Sequence, residues 1–425
     1  MAEEADHGTY RYRWLVLASF MFVAAVTQLM WLNYAPITSQ TESLMHVSEF
    51  KVVALALMFP LLYIPVSIPA GIVIDRKGYR YAVMIGAVLT TVFSFVRLFA
   101  GNYWLVLIGM IGISIGQPFV LNSITKMVAT WFPTEESALA DGLATLSLFL
   151  GMILALALTP ALLSVFGKNN ISSLRYIVFI YSLISVGSLV LFALFAKARP
   201  PKPPKRTETD VAGADAAINW ENFKALFRLS NFRLLCVILL IGNGSFVGLL
   251  QLMEKIMKPK GINTDTAGFI GAVMVVAGVV GCIVLPAISD KVMRRKPFVL
   301  IAAGMAVPTI FIISIVNHNT PLIFGVGAML GFFMFSAFPI VLAYSEETTG
   351  SALTGTATSV LLLLGNAGGV IITLIMESLK GAFGVAPDSF FWALIFLVIL
   401  FAIGFAIATR LHESPAMLEA QASRD

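Results

Sequence analysis

Ten residues at the end of the second apolar stretch decide the fold: Gly71-Ile72-Val73-Ile74-Asp75-Arg76-Lys77-Gly78-Tyr79-Arg80. A related segment, 286–295, follows the eighth apolar stretch and reads Pro-Ala-Ile-Ser-Asp-Lys-Val-Met-Arg-Arg. Asp75 precedes Asp290 by 215 positions, and Arg80 precedes Arg295 by the same number. A constant offset between distant landmarks indicates an internal repeat. The chain is therefore predicted to consist of two halves that are built alike.

Further landmarks share nearly the same offset. The sequence Ser-Ala-Leu occurs at 137–139 and at 351–353, which is a shift of 214. Gly151 and Gly365 are also 214 apart, and the amides Gln28 and Asn243 are 215 apart. In membrane proteins, two parallel repeats are related by an axis along the membrane normal. Such a pair is expected to enclose a cavity near the middle of the bilayer.

The composition excludes a soluble enzyme. Of the 425 residues, 58% are hydrophobic and 12% are charged, against about 45–50% and about 25% in an average globular chain. So few charges do not cover a water-facing surface. Disorder is excluded as well, because 32 phenylalanines and a mean hydropathy of +0.90 would cause collapse. Most of the chain is therefore expected to lie in lipid.

Twelve apolar stretches are each long enough to form a spanning helix, which needs about 20 residues. They lie at 14–38, 49–74, 81–99, 103–130, 137–165, 174–196, 231–257, 265–289, 296–316, 320–344, 351–379 and 389–409. We predict an all-α membrane protein of twelve transmembrane helices in two pseudo-symmetric six-helix bundles. The predicted domains are 1–196, a cytoplasmic linker 197–230, and 231–425. The linker begins with a basic, proline-rich segment and ends with an amphipathic helix at 219–230.

The distribution of basic residues predicts the orientation. With the N-terminus inside, 20 of the 28 lysines and arginines fall in cytoplasmic segments and 8 fall outside. Cytoplasmic loops of membrane proteins carry this excess. We expect a monomer in the plasma membrane with both termini cytoplasmic and with no nucleic-acid partner. Cys236 and Cys282 lie inside apolar stretches, so no disulfide framework is expected.

The pattern Gly71-x-x-x-Asp75-Arg76-x-Gly78-x-Arg80 resembles the signature loop of the major facilitator superfamily. It lies between spans two and three, as in that family, and a degenerate copy lies between spans eight and nine. The resemblance covers nearly the whole chain. It implies the major facilitator fold of two six-helix bundles, which carries solutes by alternating access.

The loop is predicted to act as a latch that holds the cytoplasmic side shut in the outward-open state and breaks on inward opening. Gly71 would allow a close approach of two helices, and Asp75 would face the positive end of another helix. The resemblance nominates the start of span eleven, near 348–351, as that helix end. Arg76 and Arg80 are predicted to pair with Glu135 or Glu136. The full predicted set is Gly71, Asp75, Arg76, Gly78, Arg80, Glu135, Asp290 and Arg295; the alternative is that these residues merely flank membrane helices.

Polar and aromatic residues within the spans are candidates for the substrate site, because burying polar groups in lipid is expensive. The candidates from the residue pattern are Gln28, Trp31, Asn33, Tyr34, Gln117, Asn122, Asn243 and Asn366. No carboxylate or base lies deep among them. The nearest charged residues are predicted to lie toward the outer ends of their spans; they are Arg97, Glu254, Lys255 and Glu377. Arg97 is predicted to extend outward to water.

A neutral pocket with aromatic walls suits a bulky cation held over a ring face, or an uncharged amphiphile. Transport down a gradient is then simpler than proton symport. Each candidate also has another interpretation. Trp31 and Tyr34 would belong to an interfacial aromatic belt. Gln117 would donate to a carbonyl that the Pro118 kink leaves free. Asn243 and Asn366 would suit contacts between helices.

A second resemblance concerns Trp31-Leu-Asn-Tyr34 and the block from Gln117-Pro-Phe-Val-Leu-Asn122 to Glu135-Glu136. Both are similar to the feline leukaemia virus subgroup C receptor-related (FLVCR) family, which implies a carrier of choline and ethanolamine, with haem export also proposed. The resemblance implies that a first-span tryptophan, here Trp31, and a span-eleven glutamine contact the ligand; Asn366 stands at the glutamine position and is shorter by a methylene.

Two positions depart from the FLVCR pattern. Val247 stands where the family has a tyrosine, with Phe246 beside it, and Phe149 stands where it has a glutamine. Either an aromatic cage is rebuilt from Phe149 and Phe246, or the substrate differs.

Three functional readings stay open. The first is a facilitative carrier of a small organic cation or amphiphilic metabolite. The second is a proton-coupled exporter or symporter of drugs or organic-acid metabolites, and the third is a membrane receptor or sensor on a carrier fold. An enzyme is not expected, because no nucleophile–base pair lies in the spans. We expect no cofactor and no metal, since His46, His318 and His412 lie in loops or tails.

Overall fold

The computed structural model describes residues 2–201, 220–350, 353–414 and 417. Within them, twelve helices are long and apolar enough to cross a membrane. The chain divides into two compact units, Met1–Val211 and Ala212–Asp425. Unit 1 contains spans 1 to 6, and unit 2 contains spans 7 to 12. The predicted fold class is confirmed.

The spans of unit 1 are Arg11–Met45, Glu49–Lys77, Tyr79–Val96, Tyr103–Trp131, Glu136–Phe166 and Ile171–Phe195. The spans of unit 2 are Ser230–Gln251, Thr264–Val292, Lys296–Ile315, Thr320–Thr349, Thr354–Ser378 and Phe391–Thr409.

Span 1 is broken near its carboxyl end, which hydropathy did not reveal. Its first helix, Ala2–Leu32, is followed by the 3-10 turn Ala35–Ile37 and then by the helix Thr38–Met45. Span 7 is shorter than the predicted 231–257, because a separate helix, Met253–Met257, follows Gln251. Apolar composition continues across both breaks, so hydropathy alone does not place them. Each break leaves backbone carbonyl groups without helical partners.

Span 2 keeps three prolines, Pro60, Pro65 and Pro69, inside one continuous helix. Each proline lacks an N–H and leaves the carbonyl four residues earlier without its usual partner. Inside a membrane, such a carbonyl must find another donor, because no water is available. Span 2 therefore attracts donors from neighbouring helices.

Each unit packs its first span against its fifth span at a glycine. A methyl group added at Gly151 would lie 2.1 Å from the Ala25 carbonyl oxygen and 2.8 Å from Gln28 Cβ. One added at Gly365 would lie 2.9 Å from Asn243 Nδ2. Small residues of this kind let membrane helices approach closely. The same contact thus forms inside both units, between the landmarks that the sequence repeats.

Helix Trp220–Arg228 lies within the segment 219–230 that the sequence predicts as an amphipathic helix. Leu226 is fully buried, and the Phe227 ring centre lies 5.7 Å from that of Phe232 in unit 2. The helix is therefore packed against span 7 of its own unit. The preceding residues 202–219 lie outside the described part of the chain, and the predicted domain boundaries stay a prediction.

Candidate substrate site and motif loops

Two of the predicted amides form a buried pair inside unit 1. Gln28 donates from Nε2 to Gln117 Oε1 at 3.1 Å. The Nε2 group of Gln117 has no hydrogen-bond partner among the described residues. Gln117 therefore does not bond to the carbonyl that Pro118 frees, which was the alternative interpretation. A buried N–H without an acceptor costs about 1–3 kcal/mol, so a ligand oxygen would be stabilised beside it.

Trp31 is fixed by a proline of span 2. Its indole Nε1 donates to the Ala56 carbonyl oxygen at 2.8 Å. This carbonyl has no helical partner, because Pro60 lacks an N–H. Trp31 is only 2% exposed, so it does not form part of an exposed interfacial belt. Since its N–H is already engaged, the group that Trp31 can offer a ligand is its ring.

Span 2 supplies two further rings that the sequence analysis missed. The Phe59 ring centre lies 4.8 Å from that of Trp31, and the Tyr63 ring centre lies 5.6 Å from that of Phe59. We call Trp31, Phe59 and Tyr63 the aromatic ladder. Phe59, Tyr63 and Ser67 are spaced four residues apart and therefore share one helix face. This four-residue spacing could have predicted the shared face, but the surrounding stretch is so rich in apolar residues that the spacing does not stand out.

Asn122 holds the far end of the aromatic ladder. Tyr63 donates from its hydroxyl to Asn122 Oδ1 at 2.6 Å, and Asn122 Nδ2 donates to Ser67 Oγ at 2.8 Å. Both polar ends of the Asn122 amide are thus engaged by span 2. Asn122 therefore positions Tyr63 in this structure.

The prediction that Arg97 extends outward to water is wrong, because Arg97 is fully buried. Its Nη1 donates to the Met30 carbonyl oxygen and to Asn33 Oδ1, each at 3.1 Å. Its guanidinium carbon lies 5.7 Å from the centre of the Tyr34 ring, and Tyr34 is buried too. The break in span 1 leaves carbonyl groups free, and these draw the arginine inward. Asn33 and Tyr34 therefore belong to an internal cluster around Arg97.

In unit 2, the two predicted asparagines lie on neighbouring helices. Asn243 of span 7 lies against Gly365 of span 11. Asn366, the next residue of span 11, donates from Nδ2 to the Leu362 carbonyl oxygen of its own helix at 2.9 Å. The Asn366 donor is thus directed to its own backbone, and its role toward a ligand stays a prediction.

The two phenylalanines of the predicted cage lie in different units. Phe246 is buried in unit 2, with its ring centre 4.0 Å from that of Phe335 and the two rings nearly perpendicular. Phe149 is half-buried on span 5 of unit 1. A cage that uses both rings stays a prediction.

The loop 71–80 of unit 1 leaves its acidic residue exposed. Gly78 ends span 2 with φ at +83°, and its N–H bonds to the Ile74 carbonyl oxygen; glycine takes such a positive φ at little cost. Asp75 and Arg76 are exposed, and neither has an ion-pair partner among the described residues of unit 1. A methyl group added at Gly71 would meet no described atom within 4 Å, so the close approach at Gly71 stays a prediction.

The structure does not form the predicted ion pair between Arg80 and Glu136. Arg80 donates to the Ala196 carbonyl oxygen just after span 6, and Glu136 pairs with Arg13 of span 1 at 2.6 Å. The carboxyl end of a helix presents unpaired carbonyls and a partial negative charge. It therefore satisfies a nearby arginine without a carboxylate. The side chain of Glu135 lies outside the described residues.

The loop of unit 2 forms a network of ion pairs and hydrogen bonds around one arginine. Buried Arg295 pairs with Asp290 and with Glu347 Oε1, the latter at 2.7 Å. Its backbone N–H donates to Glu413 Oε1 at 2.7 Å. Burial alone would lower the pKa of Arg295, but the hydrogen bonds to Glu347 and Asp290 raise it. Arg295 therefore stays charged and joins span 8, span 10 and the segment after span 12.

The sequence and the fold have known relatives. The sequence profile of the Major Facilitator Superfamily matches residues 15–373. Solute carrier family 49 member A3 of Xenopus tropicalis is 25% identical over 402 residues, which cover 91% of this chain and 82% of that protein. The choline/ethanolamine transporter flvcr2a of Danio rerio is 25% identical over 406 residues, which cover 92% and 85%.

Among solved structures, a bacterial homolog of the human lysosomal transporter Spinster, crystallised inward-facing and unoccupied, superposes with a TM-score of 0.75. The match covers 93% of this chain and 96% of that chain at 14% identity. At that identity, the likeness concerns the fold alone.

Proposed function

The chain belongs to the Major Facilitator Superfamily and is a secondary transporter, and we propose that its substrate is a small organic cation of the choline or ethanolamine kind, or an amphiphilic metabolite. We propose further that transport is facilitative and proceeds by alternating access. The observation that carries the substrate proposal is the aromatic ladder beside the Gln28–Gln117 pair.

The aromatic ladder suits an ammonium group. A cation over an aromatic face gains about 0.5–1 kcal/mol at an exposed site and about 2 kcal/mol or more when desolvated. Trp31 is the best of the three ring types for this contact, and its N–H is already bonded to Ala56. Neutral rings attract the cation without presenting a counter-ion that must itself be desolvated.

The amide pair suits the other end of such a substrate. Choline and ethanolamine each carry a hydroxyl oxygen, and Gln117 Nε2 is a buried donor without a partner among the described residues. A hydrogen bond from Gln117 to that oxygen would remove the cost of the unpaired donor. The similarity to a choline/ethanolamine transporter of Danio rerio supports the same substrate class.

Uptake of radiolabelled choline and ethanolamine into proteoliposomes tests the proposal. We expect saturable uptake by the wild type and a loss of at least tenfold in Trp31→Ala. Trp104→Ala is the matched control, because Trp104 is 63% exposed in span 4 of the same unit. It should transport normally. Undiminished uptake by a folded Trp31→Ala variant would show that the ladder is not the site.

The same vesicles separate the alternative mechanisms. A facilitative carrier equilibrates substrate across the membrane, and an imposed pH gradient does not drive accumulation. Accumulation that follows the pH gradient would favour the proton-coupled exporter or symporter. Saturable binding without any flux would favour the receptor or sensor.

We propose that the loop 71–80 acts as a cytoplasmic latch. Asp75 is exposed and has no ion-pair partner among the described residues of unit 1, so it is available to a partner outside that unit. The positive amino end of span 11, which begins at Thr354, is the partner we propose. We propose further that both termini lie in the cytoplasm, and the excess of basic residues in the segments then placed inside supports this orientation. We also propose that the protein is a monomer of the plasma membrane. Labelling of single cysteines in this loop in sealed cells tests the orientation.

A further inference from the structure

We propose that Arg97 is a positioning residue that holds the broken carboxyl end of span 1, and through it Trp31 and Tyr34, in the shape that the substrate site requires. This inference rests on the proposed function, because that function assigns Trp31 to the site. Arg97 itself is fully buried and is not proposed to touch the substrate.

The hydrogen bonds of Arg97 bracket the break in span 1. The first helix ends at Leu32, and the 3-10 turn begins at Ala35. One nitrogen of Arg97, Nη1, reaches the Met30 carbonyl oxygen before the break and Asn33 Oδ1 within it, each at 3.1 Å. Residue 31 lies between these two anchors. A shift of the Trp31 backbone would therefore disturb the bond to the Met30 carbonyl, which directly precedes Trp31.

The charge of Arg97 is held by a helix end and by neutral acceptors. No acidic side chain pairs with it in the part of the chain that the structure describes. Its guanidinium binds the last turn of helix Ala2–Leu32 at the Met30 carbonyl oxygen, and it also contacts Asn33 Oδ1 and the Met30 sulfur. The carboxyl end of a helix carries about −0.5 of an elementary charge, which offsets part of the positive charge.

The packing around Arg97 is shaped for arginine. A methyl group added at Gly109 of span 4 would lie 2.4 Å from Arg97 Cγ, so the stem of Arg97 occupies the space that a side chain at 109 would need. The planar guanidinium fork presents several donors in fixed directions, whereas a lysine presents a compact point charge. Lysine would therefore keep the charge without holding both anchors in the same geometry.

The test uses Arg97→Met and Arg97→Lys and begins without any ligand. The emission of Trp31 is isolated by subtracting the spectrum of the same protein carrying Trp31→Phe. Removal of the anchor should let water reach the indole, so we expect a red-shifted Trp31 emission in Arg97→Met and a smaller shift in Arg97→Lys. Choline binding should weaken at least tenfold in Arg97→Met and should be partly restored in Arg97→Lys.

A glycine pair provides the control for folding. Gly109→Ala displaces the Arg97 stem while keeping its charge, and it should reproduce both changes. Gly187→Ala of span 6, where an added methyl group meets no described atom within 4 Å, should behave as the wild type. If Arg97→Met does not fold, Arg97→Lys and Gly109→Ala give the same two readouts.

Unchanged Trp31 emission in these variants would overturn the role of Arg97. A wild type that binds no choline would overturn the proposed substrate instead, and the ligand-free emission would still decide whether Arg97 positions Trp31.

Discussion

The two loops that carry the repeated motif are stabilised in opposite ways. The loop 71–80 matches the family signature, yet Asp75 is exposed and Arg80 binds a backbone carbonyl. The loop 286–295 departs from the signature, yet Arg295 is buried and pairs with two carboxylates. The copy with the better-matching sequence is therefore the one with fewer ionic contacts inside its own unit.

This difference separates two uses of the same residue types. A buried arginine that is paired with carboxylates fixes helices in one arrangement, because leaving either charge unpaired is costly. An exposed carboxylate without a partner inside its unit contributes little to the stability of that unit. Such a carboxylate is free to bind a partner outside its unit in one conformation and to release that partner in another. We infer that unit 2 uses its motif for stability and that unit 1 uses its motif for the latch.

The largest effect should come from Arg295→Met. It leaves Glu347, which is largely buried, without its cation, and breaking a buried pair in this way costs about 3 kcal/mol or more. Arg80→Met removes hydrogen bonds to carbonyl groups and should cost less, about 1–2 kcal/mol. Thermal unfolding of purified protein in detergent measures both. Equal losses in the two variants would break the comparison.

The glycine contacts of the first and fifth spans should also respond unequally. A methyl group at Gly151 would meet a backbone oxygen of span 1 at 2.1 Å, whereas one at Gly365 would meet the movable Asn243 amide at 2.9 Å. Overpacking costs about 1–3 kcal/mol. We expect Gly151→Ala near the upper end of this range and Gly365→Ala near or below the lower end. The reverse order of melting temperatures would show that the two contacts are not equivalent.

The aspartates of the two loops should show the smaller effects. Asp75→Asn should leave the melting temperature nearly unchanged, while cysteines on the cytoplasmic side become more accessible to labelling. Asp290→Asn should cost about 0.5 kcal/mol, because the Asp290 side chain is 61% exposed, and should leave labelling unchanged. If labelling changed equally in both variants, unit 1 would not hold a special role in the latch.

Much of the fold followed from the sequence, because its signals are local or periodic. Apolar length marks a spanning helix wherever it occurs, and the constant offset joined Gly151 with Gly365 and Gln28 with Asn243 before any contact was known. The ends of the helices did not follow. The break after Leu32 lies inside an apolar stretch, and it is stabilised by a side chain from another helix.

Within the candidate site, the buried amide pair followed from polarity, whereas most of the aromatic ladder did not. Gln28 and Gln117 were found because amides are costly in lipid, and the structure joins them. Phe59 and Tyr63 were missed, since aromatic residues in a spanning helix suit lipid equally well. The burial of Arg97 was missed because its backbone acceptor, the Met30 carbonyl oxygen, lies at a helix end, which has no residue signature of its own.

The two units differ in one further respect, the buried cation that each of them places at a helix end. Unit 1 has the buried Arg97, and unit 2 has the buried Lys260, whose Nζ donates to the Ser314 and Val316 carbonyl oxygens at 3.2 and 3.0 Å. Both cations thus bind the carboxyl end of a helix. Arginine keeps its charge at every accessible pH. Burial lowers the pKa of Lys260 from 10.5 to about 8, so the cation of unit 2 can be titrated.

The sign of the resulting pH dependence follows from proton binding. Between about pH 8 and pH 10.5, the unfolded chain holds a proton at Lys260 that the folded protein has released. Stability rises with pH wherever the unfolded state binds more protons. The stabilisation is fully present above pH 10.5 and is lost as the pH falls through 8.

Melting temperatures measured at pH 7 and pH 9.5 test this effect, with Lys260→Met as the reference because it keeps an unbranched apolar stem. Relative to that variant, the wild type should gain stability at pH 9.5. No comparable gain should arise from unit 1, because Arg97 does not lose its proton over this range. Parallel pH profiles for the wild type and Lys260→Met would show that water reaches Lys260, and that Arg97 and Lys260 are not buried to the same degree.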